Sequence, residues 1–264
     1  MPEAAGPRPQ EASAARVASN RRRAVGTLRM TWLIAQRAAR EALQDRFTLL
    51  MSLVFMVALP LGLVVFVVRP QAASGDPGLG SSLTFLLLMV GLLPAFSAIG
   101  IAAGQFAGEH ERGVLIPLLA APATNLALFG GKVLGAVLPP LAYTLVAQGV
   151  YLGGLMLVLE PSQLAFLSVG LVVATLLLVA ALACFGAVVA SLISSRVRTY
   201  NSAQQLAGLV MGPVLAALLS LVGRLLDRGV IGLLVGVIVL VLLDGALAVV
   251  AAATWRREEV LSRR

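Results

Sequence analysis

Six stretches of the chain run for twenty residues or more with at most one charge apiece, and an apolar run of that length is what an α-helix needs to cross about 30 Å of hydrocarbon. They read as Phe47 to Val68, Ser81 to Ala103, Leu126 to Leu159, Leu164 to Ile193, Ala203 to Val222 and Val230 to Thr254. The third and fourth are longer than a bilayer is thick, so they are expected to tilt, kink or protrude. Pro139 and Pro140 predict a kink in the third. A β-barrel is excluded, because its strands would alternate polar and apolar residues over about ten positions and no such alternation occurs. The expected fold class is an all-α membrane protein with six transmembrane helices. Composition agrees, since 12% of the 264 residues are charged against about 25% in ordinary soluble domains.

An even number of crossings puts both ends of the chain on one side, and the distribution of Lys and Arg selects which. Nine basic residues precede Phe47, Arg112 follows the second run, Lys132 opens the third, Arg196 and Arg198 follow the fourth, and four lie in 255–264. The opposite loops hold Arg69, Arg224 and Arg228. Both termini and the loop at Glu109 are therefore expected in the cytoplasm. The net charge of +8 then reflects contact with anionic headgroups rather than nucleic acid. No cleavable signal peptide is visible, because 46 mostly polar residues precede the first apolar run.

Residues 1–28 are rich in Ala, Pro, Arg and Ser without apolar periodicity, and are expected to form a disordered cytoplasmic tail. From Arg29 to Arg46 the chain lacks Gly and Pro and is dominated by helix formers. Met30, Trp32, Leu33 and Ile34 lie beside Arg37, Arg40, Glu41, Asp45 and Arg46. That pattern predicts an amphipathic helix in the membrane interface with Trp32 at headgroup level, or else an extension of the first spanning helix. Glycines recur four apart at Gly100, Gly104 and Gly108, and in the pairs Gly131 and Gly135, Gly149 and Gly153, Gly208 and Gly212, Gly232 and Gly236. This spacing places them on one helix face, and they are read as packing faces. No internal repeat or matched pair of broken helices marks a secondary transporter.

Catalytic chemistry finds little support. The segment LFGGKV has Leu126 and Val133 where a phosphate-binding loop needs Gly and Ser or Thr. One His and one Cys leave no metal cluster or catalytic triad. No enzyme activity, metal or cofactor is expected of this chain alone. Cys184 reads as a small packing residue. Asp244 is the exception within the apolar runs: an intramembrane carboxylate marks a functional site facing protein or water, or pairs with a Ser, Thr, Gln or Arg of a neighbouring helix.

Between the second and third runs, Glu109, His110, Glu111 and Arg112 precede Leu115, Ile116, Leu118 and Leu119, and the stretch ends at Pro122. A short helix with one charged and one apolar side fits that order, lying against the membrane. The segment GEHERGVLIPLLAAPATNLALFGGKVLGAVL resembles the signature of ABC type 2 exporter permeases. In that family a Glu-x-Glu-Arg-Gly start leads through a Leu-rich stretch to a Pro and then to a Gly-Lys opening the next helix. Here these are Glu109, Glu111, Arg112, Gly113, Leu115, Leu118, Leu119, Pro122, Gly131 and Lys132. AQRAAREALQDRFTLL is similar to the family's segment before the first span, and SSRVRTYNSAQQLAGLVMGP to its loop between the fourth and fifth, so that 29–264 reads as one permease domain. Val114 and Ile116 depart from the pattern, which more often has Thr and Glu there.

The resemblance implies the membrane subunit of an ATP-driven exporter in a prokaryotic cell membrane. Two copies of a separate ATPase would supply ATP and Mg, and a second permease copy or related chain would complete the pore. Glu109, His110, Glu111, Arg112, Gly113, Leu115 and Leu118 would then form the coupling helix that docks on the ATPase. The scarcity of charge inside the spans favours a lipidic or drug-like cargo. Competing readings are an ion-coupled carrier working through Asp244 and a membrane scaffold that transports nothing. The topology is directly testable: a fluorescent protein that matures only in the cytosol will fluoresce when fused after Arg264, whereas a secretion-dependent phosphatase will be active when fused to a chain truncated after Arg228. The opposite pattern would invert the orientation.

Overall fold

The computed structural model describes residues 29, 31–37, 39–40, 46–111, 125–197 and 199–254. The expected tail 1–28 lies outside them, as do Glu41 and most of the segment after Glu111. Every described element is helical, and no strand occurs among the described residues. Six helices are long and apolar enough to cross a membrane: α1 (Leu50–Ser74) and α2 (Leu79–Ala103), α3 (Asn125–Val158), α4 (Val169–Ser194), α5 (Tyr200–Asp227) and α6 (Gly229–Thr254). The chain is thus an all-helical, multi-pass membrane protein.

Helix ends follow local chemistry. α1 continues past Val68 to Ser74, where Gly75 at φ +67° terminates it in the left-handed conformation open to glycine. Asp76 Oδ1 then accepts from the Gly78 amide at 2.8 Å and turns the chain into α2. The expected fourth span from Leu164 divides: Pro161–Leu164 is a separate turn held by a Glu160 and Gln163 capping box, and α4 begins at Val169 with Ser168 accepting from the Leu171 amide. α4 is consequently shorter than its apolar run. α3 spans 34 residues, helical throughout including Pro139 and Pro140, and at 1.5 Å per residue it is about 51 Å long, well beyond a bilayer core.

Two turns of α1 widen into π-helix, at Val54–Ala58 and Val64–Val68. Pro60 and Pro70 follow them at the same offset. A proline has no amide hydrogen and its ring presses on the carbonyl four residues earlier, so the preceding turn opens. In α2, Pro94 similarly precedes a break at Phe96, where Ser97 Oγ donates to the Pro94 carbonyl at 2.7 Å.

α4 is the central helix. It packs against α2, α3, α5 and α6, and its Leu178, Val179, Ala183, Ala187 and Ala190 join Leu88, Leu92 and Ala98 of α2 in the largest buried cluster. Gly186 lets Ile99 approach: a Cβ added there would come within 2.9 Å of the Ile99 side chain. α6 covers the outside of α4, with Ile231, Leu242 and Val249 facing outward. A second cluster joins α1, α2 and α3 around Val64, Leu83, Leu87, Tyr151 and Leu155.

α2 and α3 are also joined by a polar ladder. Thr144 Oγ1, Gln148 Nε2 and the Tyr151 hydroxyl, spaced one turn apart, donate to the carbonyls of Gly91, Leu87 and Leu83 at 3.0, 3.3 and 3.4 Å. Each carbonyl has a second lone pair beyond its own helical bond, so these donors are satisfied without breaking α2. Gly91 permits the approach, since a Cβ there would lie 2.6 Å from Gln148 Nε2.

The glycine repeats divide into packing and non-packing sets. Gly104 lies under the Tyr200 ring, Gly232 and Gly236 face Leu225, and Gly131 faces the N-terminal helix. Gly108, Gly149, Gly153, Gly208 and Gly212 have no described atom within 4 Å of an added Cβ. The reading of every pair as a packing face is therefore corrected for contacts within the chain: Gly149 and Gly153 of α3 and Gly208 and Gly212 of α5 are exposed, and among the described residues nothing packs on them. Gly91→Ala is expected to destabilise the bundle by about 1–3 kcal/mol through overpacking. Thr144→Ala, which deletes one ladder bond, is expected to cost about 0.6 kcal/mol. Unfolding in mixed detergent micelles measures both, and an undiminished Gly91→Ala variant would contradict the close approach.

Candidate functional site

α2 does not end as an ordinary helix. After Ala103 the chain widens into a π-turn over Gly104–Gly108 and then passes into the helical Glu109–Glu111. No proline follows at the offset seen in α1. Instead the hydroxyl of Ser194, the last residue of α4, enters the backbone ladder. It donates to the Ala103 carbonyl at 2.5 Å and accepts from the Ala107 amide at 2.9 Å. These two groups are the pair that an α-helix would join directly, so the hydroxyl stands between bonding partners and the turn opens around it.

Lys132 meets the same segment from α3. Its side chain is 2% exposed, its ammonium donates to the Gln105 carbonyl at 2.6 Å, and it pairs with Glu109 Oε2 at 2.5 Å. The position suits a cation, because the freed carbonyls at a helix C-terminus carry the negative end of its dipole. Glu109 supplies the formal countercharge and is itself 26% exposed, at the mouth of the pair. From the sequence, Lys132 reads as a cytoplasmic-side cation that opens the third helix and not as a phosphate-loop lysine, with no partner assigned to it. The missed signal was its place inside an apolar run, where an ammonium requires a partner, together with two glutamates at the end of the preceding span.

Glu111 turns toward α5. Its Oε2 accepts from the Tyr200 amide at 3.1 Å, at the first turn of that helix, where Thr199 caps the Ser202 amide. A carboxylate at a helix N-terminus is stabilised by the unpaired amides and the positive dipole end. The Tyr200 ring in turn lies over Gly104, and Gln204 reaches toward Gly100. Ala103, Ala107 and Ala203 close the seam as a small buried cluster.

The N-terminal helix joins this end of the bundle. Residues 31–37 are helical, with Ala35 buried and Ile34 set against Gly131. A Cβ at Gly131 would lie 2.9 Å from both Ile34 Cβ and the Thr31 carbonyl oxygen, so only glycine fits beside Lys132 at this separation. Trp32 and Leu33 point outward, at 57% and 51% exposure. Arg37 and Arg40 are exposed. Arg46 begins the helical segment leading into α1.

Of the residues expected on the coupling helix, Glu109 and Glu111 are thus brought together with Lys132, Ser194 and Tyr200. His110 falls within the short helical segment. Arg112, Gly113, Leu115 and Leu118 lie outside the described residues. Asp244 makes no described contact with this cluster; it is half-buried on α6, and its Oδ1 is buried with no hydrogen-bond partner among the described residues. The expected Ser, Thr, Gln or Arg partner for that oxygen is not found there. Cys184 is half-buried in the α4 core. Among the described residues no group of three His, Cys, Asp or Glu side chains is placed to hold a metal.

Compared with known proteins, the chain matches no family model, and no curated protein is significantly similar to it.

The Lys132 and Glu109 pair makes a quantitative prediction. Breaking a buried ion pair from one side leaves an uncompensated charge, so Glu109→Gln is expected to cost about 3 kcal/mol of stability. Adding Lys132→Met should return part of that loss, because the orphaned ammonium is gone. A double-mutant cycle in mixed micelles reads the coupling, and strictly additive losses would show that the two residues do not pair.

Proposed function

We propose that this chain is the membrane-spanning permease subunit of an ATP-driven exporter, working with a separate ATPase on its cytoplasmic side. The observation that carries the reading is the convergence at Glu109: the segment leaving α2 is bonded to α3 through Lys132, to α4 through Ser194 and to α5 through Glu111. A push delivered to the loop after Glu111 would therefore reach three spanning helices at once. In the exporter reading that push comes from the ATPase. Binding of ATP favours one arrangement of the ATPase pair, and the loop from Arg112 to Leu118 transmits it, because a ligand drives a change only through differential affinity for two states.

The two glutamates act on the permease side of this joint. One oxygen of each is engaged within the chain, and Arg112, Gly113, Leu115 and Leu118 form the face toward the ATPase, with His110 between. The helix carrying Trp32, Arg37 and Arg40 lies in the inner membrane interface and braces Gly131 beside Lys132. Two ATPase copies and a second permease would complete the assembly in the cell membrane, with both termini cytoplasmic. The chain itself holds no nucleotide and binds no nucleic acid, and ATP and Mg enter through the partner. The outward faces of the bundle are apolar, and a lipidic or drug-like cargo suits them.

A second reading has one observation in its favour. The buried, unpartnered oxygen of Asp244 is the kind of intramembrane group that an ion-coupled carrier uses.

The deciding experiment is purification of the chain from its native membrane in mild detergent, followed by mass-spectrometric identification of what accompanies it. An ABC-type ATPase is expected with the parent and not with an Arg112→Glu, Leu118→Ser variant that still elutes as a single species. Absence of an ATPase from the parent in several detergents would reject the exporter reading. Ion-gradient-driven uptake abolished by Asp244→Asn would then establish the carrier.

A further inference from the structure

We infer that the Gly104–Gly108 turn is a two-state hinge, held in its widened form by the Ser194 hydroxyl acting as a removable wedge. The geometry supplies the two states. In the observed one, Ser194 Oγ bridges the Ala103 carbonyl and the Ala107 amide. In the other, those groups bond each other and the turn is ordinary α-helix. Nothing in the covalent chain forces the widened state, since this π-turn lacks the proline that accompanies both π-turns of α1.

The change is large enough to matter. A π-turn of this kind accommodates one residue more than the α-helical turn it replaces, and one residue corresponds to about 100° of rotation. Closing the turn would swing Glu109 and Glu111 by that angle around the α2 axis, away from Lys132 and the Tyr200 amide. The ion pair at Glu109, the hydrogen bond at Glu111 and the wedge therefore belong to the same state and are lost or kept together.

Two further features fit a switch. Gly104 and Gly108 bracket the turn, and Gly108, at its far end, has no described atom within 4 Å of an added Cβ, so space is open on that side. The buried atoms Gln105 Oε1 and Ser191 Oγ, on the two elements that meet here, have no hydrogen-bond partner among the described residues. Buried polar groups are ordinarily satisfied, so the observed state leaves bonds for another arrangement to make. Ser194 is thus a positioning residue: its two hydrogen bonds are both to backbone groups, and it sets the direction in which the Glu109 segment points. This inference stands whether or not an ATPase binds the loop that follows.

The test uses the full chain with Cys184→Ala as background. One cysteine pair, Ala107→Cys with Ala203→Cys, reports the side of the turn that rotates, because both residues share one buried cluster. A second pair, Ile99→Cys with Gly186→Cys, lies before the turn, where α2 and α4 touch. With Ser194 present both pairs are expected to form disulfides readily. With Ser194→Ala the first pair should lose cross-linking several-fold while the second is unchanged, and Ser194→Thr, which keeps the hydroxyl, should restore the first. Undiminished cross-linking of the first pair in Ser194→Ala would overturn the hinge. So would equal loss of both pairs, or failure of Ser194→Thr to restore the first, since either would mean general loosening rather than rotation.

Discussion

An ammonium group with 2% of its side chain exposed sets the terms for one whole end of this protein. Removing a charge from water costs several kcal/mol unless a countercharge and hydrogen bonds replace the lost solvation. Lys132 finds them in the Glu109 carboxylate and the Gln105 carbonyl, and both belong to the segment that leaves α2. The start of α3 and the exit of α2 are consequently locked in register. The segment is then in place for Ser194 to reach Ala103 and Ala107, and for Glu111 to reach the first amide of α5. Gly131, next to Lys132, leaves room for the N-terminal helix on the remaining side.

Two fastenings thus hold the α2 and α3 pair, and they differ in kind. Along the spans, the ladder from Thr144, Gln148 and Tyr151 uses neutral donors on backbone carbonyls, each contributing little but all pointing one way. At the Glu109 end the fastening is ionic and concentrated in one residue. A neutral ladder resists sliding at every rung, whereas an ionic contact can be exchanged as a unit. The ladder thus spreads its hold along the spans, whereas the hold at the Glu109 end depends on Lys132. α5 and α6 are the least buried spans, and Glu111 joins the first turn of α5 to the Glu109 end.

Of the cluster at the end of α2, Glu109 and Glu111 could be read from residues in order, while Lys132, Ser194 and Tyr200 could not. The charges at Glu109 and Glu111 mark the joint between the second and third spans, and the apolar stretch after them suggests an element lying along the membrane. Their pairing inward rather than toward a partner protein depends on Lys132, 23 residues away from Glu109, and on the Tyr200 amide, 89 residues away from Glu111. Sequence spacing carries no information about such contacts, because each requires two spans to lie at a particular distance and rotation. The glycine pairs show the same limit: Gly131 and Gly149 are equivalent in spacing pattern, yet one faces Ile34 and the other has no described neighbour.

The three π-turns separate the two levels of cause. In α1, Pro60 and Pro70 follow the two widened turns at the same offset, so a cause for the opening lies within that helix's own covalent structure, although Pro139, Pro140 and Pro213 sit in helices that stay α-helical. The six crossings have the same local origin, since the transfer of an apolar side chain into hydrocarbon depends on that side chain and adds along the run. At Gly104–Gly108 nothing within the helix demands the widening. There the last residue of α4 places a hydroxyl between the Ala103 and Ala107 groups that an α-helix would bond directly, and that meeting exists only once α2 and α4 have packed. Solvent transfer is additive and short-ranged, hence legible in order; a wedge between two backbone groups is a fact about distance, and only packing sets it.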